Sequence, residues 1–499
     1  MTRPTSVSLE QSRHATGIVG LDDILGGGLP ANRLYLIQGT PGVGKTTLAL
    51  QFLLEGARRG ERVLYITLSE TEEEIRQVAV SHGWSLDGLS LYELSSADQS
   101  LRLAETNTLY ATADVDLKET IKVLLAEVER VKPQRVVFDS LSEIRLLAQT
   151  AMRYRRQLLG LKQYFAGKNC SVLLLDDRST DGDVQVESLA HGVILLDQHP
   201  AQYGADRRRL RVSKLRGSRY RSGYHDFVIS TGGLVVFPRL IAAEHRTDAI
   251  AHSISSGIPE IDALLGGGLD LSTATLLMGP AGTGKSAIGS QFANAVAKSG
   301  RRAAIFLFEE RIGTFLKRAQ SFGAPLEEHM ASGHIKIHQI DPAEMAPDEF
   351  SHLVRAEAER DGTELVLIDS INGYFTAMPE GRSMLLQMHE LLSFLAERGV
   401  ASVMTMAQTG FLGQAMTSPV DISYLADTVM LLRYFEQGGR VRKAISVVKK
   451  RSGYHEDAIR ELTLGEDGIR VGAALEELRG VFSGMPVKVE NRRALEESP

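Results

Sequence analysis

At 499 residues the chain is longer than one hydrophobic core usually serves, so two domains of about 200 to 250 residues are expected. Its 43% apolar and 24% charged content is that of a globular protein, and no apolar run approaches the roughly 20 residues that span a bilayer. A net charge of −6 argues against DNA or an anionic membrane as the main partner, and "MTRPTSVSLEQSRHATG" at the start lacks the apolar segment of a secretory signal, so a cytoplasmic address is expected.

In chain order, "RLYLIQG", "RVLYITL", "RVVFDS", "SVLLLDD" and "GVILLD" read as strands, with "KTTLALQFLLEGARRG" and "DLKETIKVLLAEVERVK" as amphipathic helices between them. Nearly continuous apolar strands alternating with helices imply an α/β fold whose mostly parallel sheet is covered on both faces. The only cysteine, Cys170, lies in such a strand and is expected to be a core thiol, with no intramolecular disulfide. The 13 histidines show neither HExxH nor zinc spacing. The pattern then starts again: "TGIVGLDDILGGGLPANRLYLIQGTPGVGKT" matches "SGIPEIDALLGGGLDLSTATLLMGPAGTGKS" at an offset of 240, which drifts to 230 at "VVFDS" against "VLIDS". Two tandem copies of one domain follow, residues 1–238 and 254–486, joined by a polar connection at 239–253 and ending in a short charged tail at 487–499 that is expected to fray.

Each copy carries GxxxxGK[ST] between a strand and a helix, the context this motif needs to cradle phosphate. In the first, Gly39, Thr40, Pro41, Gly42, Val43, Gly44, Lys45, Thr46 and Thr47 are candidate nucleotide contacts; in the second, Gly279, Ala281, Gly282, Thr283, Gly284, Lys285, Ser286 and Ala287. Lys45 and Lys285 neutralise the outer phosphates, and Thr46 and Ser286 offer hydroxyls to Mg²⁺. Asp139 and Asp369 end apolar strands after each loop and suit the carboxylate that holds the same metal ion. Phosphoryl transfer also needs a base, and "YITLSETEEEI" against "IFLFEERIGTF" supplies Glu70 in the first copy and Glu309 with Glu310 in the second, on strands expected to lie beside the phosphate loops. Glu72, Glu73 and Glu74 read as the acidic first turn of a helix. The basic run "RRRLRVSKLRGSRYR" has eight Arg or Lys in 15 residues, with "KKRSGYH" as its shorter counterpart. It is either a solvated face or, our preferred reading, a clamp for a neighbouring subunit's nucleotide, with Lys214 and Arg216 on one side of a strand and Lys449 and Arg451 repeating the spacing. The repeat "RSGYH" would align Arg221 with Arg451 instead.

The tandem loops, "GLDDILGGGL", "GIPEIDALLGGGL", "FEE", "KLRGS" and "DTVMLLRYFEQGGRVRKAISVVKKRSGYHEDAIREL" resemble the KaiC family of circadian clock ATPases and autokinases over nearly the whole chain. The resemblance implies two RecA-like P-loop domains and a homohexamer of two stacked rings with ATP and Mg²⁺ at subunit boundaries. It also implies ATP hydrolysis in the first ring and serine/threonine autophosphorylation in the second. It adds Ser81, Lys214, Leu215, Arg216, Ser218, Phe322, Lys449, Lys450 and Arg451 to the nucleotide contacts, and places Glu309 as base and metal-site residue of the second domain. This chain departs from the family at three points: Ser69 replaces the first domain's base, leaving Glu70 to serve or the site to hold a structural nucleotide; Ser423 and Tyr424 stand at the adjacent phosphoacceptors, with Ser418 as a further hydroxyl; and the tail after Pro486 is short, against docking by a KaiA partner while a KaiB-like or other signalling partner remains open. Two other functions compete with a ring ATPase and autokinase. One is a RecA/RadA-like ATPase stimulated by nucleic acid, which the basic run favours and the net charge opposes; the other is a nucleotide-gated scaffold with negligible turnover.

Overall fold

A computed structural model describes residues 12–94, 113–178, 184–201, 203–245, 252–376, 381–408, 423–465, 467–481 and 486–488. The chain divides into two compact units, Met1–Arg239 and Leu240–Pro499. In the first, a nine-stranded sheet is built in chain order from β1 (Leu34–Gly39), β2 (Val63–Thr67), β3 (Leu89–Glu93), β4 (Arg135–Asp139), β5 (Ser171–Asp177), β6 (Gly192–His199), β7 (Arg207–Leu215), β8 (His225–Ser230) and β9 (Gly233–Phe237). Its spatial order is β9-β8-β7-β6-β1-β5-β4-β2-β3. The six strands from β6 to β3 run parallel, and β7, β8 and β9 extend the sheet as antiparallel neighbours.

The second unit repeats the plan with β10 (Ala274–Gly279), β11 (Arg302–Leu307), β12 (Ile335–Gln339), β13 (Thr363–Asp369), β14 (Ala401–Ala407), β15 (Thr428–Gln437), β16 (Arg440–Lys450), β17 (Arg460–Gly465) and β18 (Gly468–Ala474). These lie in the order β18-β17-β16-β15-β10-β14-β13-β11-β12, element for element the order of the first sheet. Strand side chains alternate between faces, so each sheet feeds two cores. Tyr35 and Ile37 pack with Leu48, Phe52 and Leu53 of the helix Lys45–Arg58, while Leu34 and Leu36 face Leu124 of Ala113–Val131 and Leu158 and Phe165 of Ala151–Phe165. This is the fully covered parallel sheet that the apolar runs imply, and both halves have a RecA-like α/β architecture.

Cys170 is buried, and burial pushes its thiol up to about 12, as suits an inert core residue. The segment joining the units packs along its first half: Leu240 and Ala242 enter the second unit's core, the Ala242 N–H donates to Glu390 Oε2 at 3.0 Å, and His245 meets Phe394 edge to face at 5.0 Å. Its apolar start explains this, since "LIAA" has surface to bury even though the connection is polar beyond it. The start of the tail also pairs, Val487–Lys488 against Leu478–Arg479; residues 489–499 lie outside the described set. No helix among the described residues is long and apolar enough to cross a membrane.

Candidate functional site

Both phosphate loops end in a left-handed glycine that opens a helix. Gly44 and Gly284 cap Lys45–Arg58 and Lys285–Lys298 at φ 111° and 112°. The left-handed backbone at both positions favours glycine, and an added Cβ, 2.8 Å from Ile229 Cδ1 or 2.9 Å from Leu464 Cδ1, would also push those side-chain ends aside. The free N–H groups and dipole of each helix start suit an anion. Lys45 Nζ donates to the Gly39 and Thr40 carbonyls at 3.0 Å and pairs with Asp177 at 2.8 Å. Lys285 Nζ donates to Gly279 and Pro280 at 2.8 Å, but register places Ala407 where the first unit has Asp177. Burial lowers the Lys285 pKa to about 8, against the opposing charges of Asp369 and Glu309.

The candidate metal corner stands at the ends of β4 and β13. Thr46 Oγ1 donates to Asp139 Oδ2 at 3.0 Å, and the Tyr65 hydroxyl donates to the same oxygen. Burial pushes the Asp139 pKa up, and these two hydrogen bonds pull it back. Asp369 accepts from the Thr405 hydroxyl, and Ser286 holds the helix position after Lys285. Both aspartates precede a cis peptide to serine. A hydroxyl and a carboxylate beside a phosphate cradle form an all-oxygen donor set that fits Mg²⁺, an ion that completes its shell with water and phosphate.

The strand that leads to each candidate base is placed differently from the sequence expectation. β2 is separated from β1 by β4 and β5, because the crossover order puts β2 beside the Asp139 strand. The site is reached through that neighbour: the Leu68 N–H donates to the Asp139 carbonyl at 2.6 Å, as Phe308 does to Asp369 at 2.8 Å. The Thr67 hydroxyl then fixes the Glu70 backbone, donating to its carbonyl at 2.6 Å and accepting from its N–H at 3.0 Å. Burial first, then the charges of Asp139 and Glu74, raise the Glu70 pKa, while Lys45 acts to lower it. Thr71 caps Glu72–Ser81 in a capping box with Glu74, so the acidic run is a helix start. In the second unit Glu309 accepts from Ser370 Oγ at 2.9 Å, and Glu310 accepts from Arg318 at 2.7 Å.

The paired cations occupy equivalent places. Lys214 lies opposite Val193 and Lys449 opposite Val429, each beside a bulge, which supports the lysine-based alignment over "RSGYH". Lys214 Nζ donates to Glu187 and Ser188 carbonyls at 2.7 and 3.3 Å, and Arg216 to Ser188 at 3.0 Å. Lys449 Nζ donates to Ser423 and Ala426 carbonyls at 2.8 and 2.7 Å, and Arg451 to Tyr424 at 3.1 Å. Lys450 points elsewhere, into a pair with Asp270 at 3.1 Å at only 5% exposure, and Leu215 is buried, as strand alternation demands. Ser218 accepts from Arg13 at 3.3 Å; Ser81 is exposed at its helix end; Phe322 is half-buried against the core. Half-buried Ser423 and exposed Tyr424 share a turn, and Ser418 lies outside the described residues.

Sequence reasoning missed Tyr65, Asp177, Thr405 and Arg318. The first three come from strands brought together only by register. Arg318 had a signal, since the 240-residue offset sets it against Val78.

A family model described as "ATPase: KaiC" matches residues 14–241 and again 254–476. The circadian clock oscillator protein KaiC of Acaryochloris marina (strain MBIC 11017) is 27% identical over 495 residues, 96% of this chain and 92% of that protein. The protein of the same name from Prochlorococcus marinus (strain MIT 9313) is 26% identical over 496 residues, 97% of each. That from Thermosynechococcus vestitus (strain NIES-2133 / IAM M-273 / BP-1) is 27% identical over 494 residues, 97% of this chain and 93% of the relative. Two matched copies, nearly end-to-end likeness and two equivalent phosphate sites lead to one assignment: the chain belongs to the KaiC family of ATPases.

Proposed function

We propose that the chain is a cytoplasmic, KaiC-like homohexameric ATPase that binds ATP and Mg²⁺ at both phosphate loops and acts in timing or signalling. Its first domain hydrolyses ATP with Glu70 as base, and its second transfers phosphate to Ser423 with Glu309 as base. The observation that carries this reading is the recurrence in both units of a phosphate-loop lysine, an aspartate bonded by a hydroxyl, that of Thr46 in the first and of Thr405 in the second, and a glutamate at the turn tied to that aspartate's carbonyl. Thr46 with Asp139, and Ser286 with Asp369, would hold Mg²⁺, which would supply positive charge to the phosphate oxygens. The nucleophile, water in the first domain and the Ser423 hydroxyl in the second, gives a proton to the glutamate as its oxygen bonds the γ-phosphorus and the bond to the ADP oxygen breaks. Lys214 with Arg216, and Lys449 with Arg451, bring further positive charge to a nucleotide held by the adjacent subunit. A KaiB-like or other signalling protein is the partner class this reading admits.

The test is incubation with γ-labelled ATP and Mg²⁺, with ADP release and phosphosite mapping for wild type, Glu70→Gln, Glu309→Gln and Ser423→Ala. Label on Ser423 that disappears in Ser423→Ala and Glu309→Gln, and ADP release that falls in Glu70→Gln, is the expected result. Equal label in all four proteins removes the autokinase; unchanged ADP release in Glu70→Gln removes the base.

A further inference from the structure

The two units differ at one cluster around the same turn. In the second, Arg318 NH1 lies 2.7 and 2.6 Å from the two Glu310 oxygens, NH2 lies 3.9 Å from Asp369, and the guanidinium sits over the Phe315 ring at 5.4 Å. Glu309, one residue earlier, is left to Ser370 Oγ. In the first unit Val78 takes the place of Arg318 and packs against the core, Ser69 takes that of Glu309, and Glu70 takes that of Glu310. There Glu70 Oε2 is buried without a hydrogen-bond partner. The substitutions match: where the first carboxylate of the pair is present the second is bound to arginine, and where the first is missing the second has lost the arginine.

Resting on the base assignments proposed above, we infer that Arg318 is a positioning residue that withholds Glu310 from the attacking hydroxyl, and that Val78 in its place is what lets Glu70 serve the first domain. A carboxylate whose two oxygens are both bridged by one guanidinium nitrogen, with that guanidinium over an aromatic ring, has a lone pair of each oxygen engaged and its rotamer held toward the arginine. Glu309, bonded by a neutral hydroxyl, keeps an oxygen for the incoming nucleophile. Ser69 has no such oxygen, so the first domain works only because its second carboxylate is released. Each unit therefore has one operative carboxylate, chosen by the residue one helix face away.

The test moves the arrangement of one domain into the other in the full-length chain. With Glu70→Gln silencing the first domain, Glu309→Ser should lower second-domain ATP turnover by ~10²-fold or more, because Glu310 is held by Arg318. Adding Arg318→Val should restore at least about tenfold of that loss by freeing Glu310, whereas Arg318→Lys, which still pairs, should not. In the reciprocal set, with Glu309→Gln silencing the second domain, Val78→Arg should depress turnover and Ser69→Glu on top should recover it. Retained ATP and particle size, measured for each variant, exclude misfolding, and a merely structural arginine gives no rescue on removal. If Glu309→Ser abolishes turnover and Arg318→Val leaves it abolished with ATP still bound, Arg318 is not the restraint and the base assignment survives. If Glu309→Ser turns over like its parent, the base assignment and this inference fall together.

Discussion

Lys285 shows how one missing carboxylate changes a phosphate loop. Lys45 has Asp177 at 2.8 Å, while Lys285 has Ala407 in that register and is 7% exposed. Burial lowers the Lys285 pKa to about 8, so its ammonium begins to lose its proton within an ordinary assay range. The sign is definite: ATP needs the charged amine, so affinity at the second site weakens as pH rises through about 8, and binding above that pH takes up a proton. Fluorescent-ATP titration of a Lys45→Ala chain from pH 7 to 9.5 should show this fall, and calorimetry in buffers of different ionisation heat should show the uptake. A flat profile would mean that the amine stays charged throughout. The loop residues were legible in the sequence because GxxxxGK[ST] is local and its glycines are required by geometry. Asp177 and Tyr65 were not, because what they touch depends on which strands become neighbours.

At the scale of elements, the parallel strands were legible as apolar runs, and the antiparallel extension was much less so. β8 opens on the buried polar residues His225 and Asp226 and ends in exposed Ser230, and β9 is interrupted by exposed Val235, so they lack the continuous apolar signature. Yet β8 anchors the extension through His225, which is fully buried. Its Nδ1 accepts from the Arg239 N–H at 2.9 Å, and its Nε2–H donates to the Arg221 carbonyl at 3.1 Å. Burial lowers its pKa to about 4 from the ordinary 6.5. The unfolded chain therefore takes up this proton near pH 6.5 while the folded chain refuses it until about pH 4. Stability is lost as pH falls through that window, by roughly 3 kcal/mol in total. Denaturant midpoints between pH 7 and 4.5 should drop for wild type, and His225→Gln, less stable at pH 7, should show a shallower slope. Equal slopes would place the acid sensitivity elsewhere. A related contrast lies in the parallel core, where Gln38 and Arg145 hold buried Asp176 but Met278 pairs with Met406 in the second sheet. The same topology thus tolerates a polar or an apolar filling, which strand patterning alone does not distinguish.

For the whole molecule, the duplication was legible because a domain-length offset survives even where pair identities drift, and the two sheets have the same strand order. The proposed assembly was less legible, since a single chain carries at most one half of any contact between subunits. The bulges that set Lys214 with Arg216, and Lys449 with Arg451, are repeated in both units, and repeated irregularities of this kind are retained features rather than defects. A head-to-tail ring gives each subunit two different faces, one holding a nucleotide and one completing the neighbour's. Two defective chains can then repair each other. In a Glu309→Gln background, Lys45→Ala loses the first phosphate loop but still presents Lys214 and Arg216, while Lys214→Ala/Arg216→Ala keeps the loop and loses the clamp. Each should be nearly inactive alone. Mixed randomly in equal amounts, roughly a quarter of the interfaces place an intact loop against an intact clamp, so ADP release should return to about that share of the parent. If native mass spectrometry shows mixed rings and ADP release does not recover, the lysine and arginine act within their own subunit, as the carbonyl contacts at Glu187 and Ser188 would then be read.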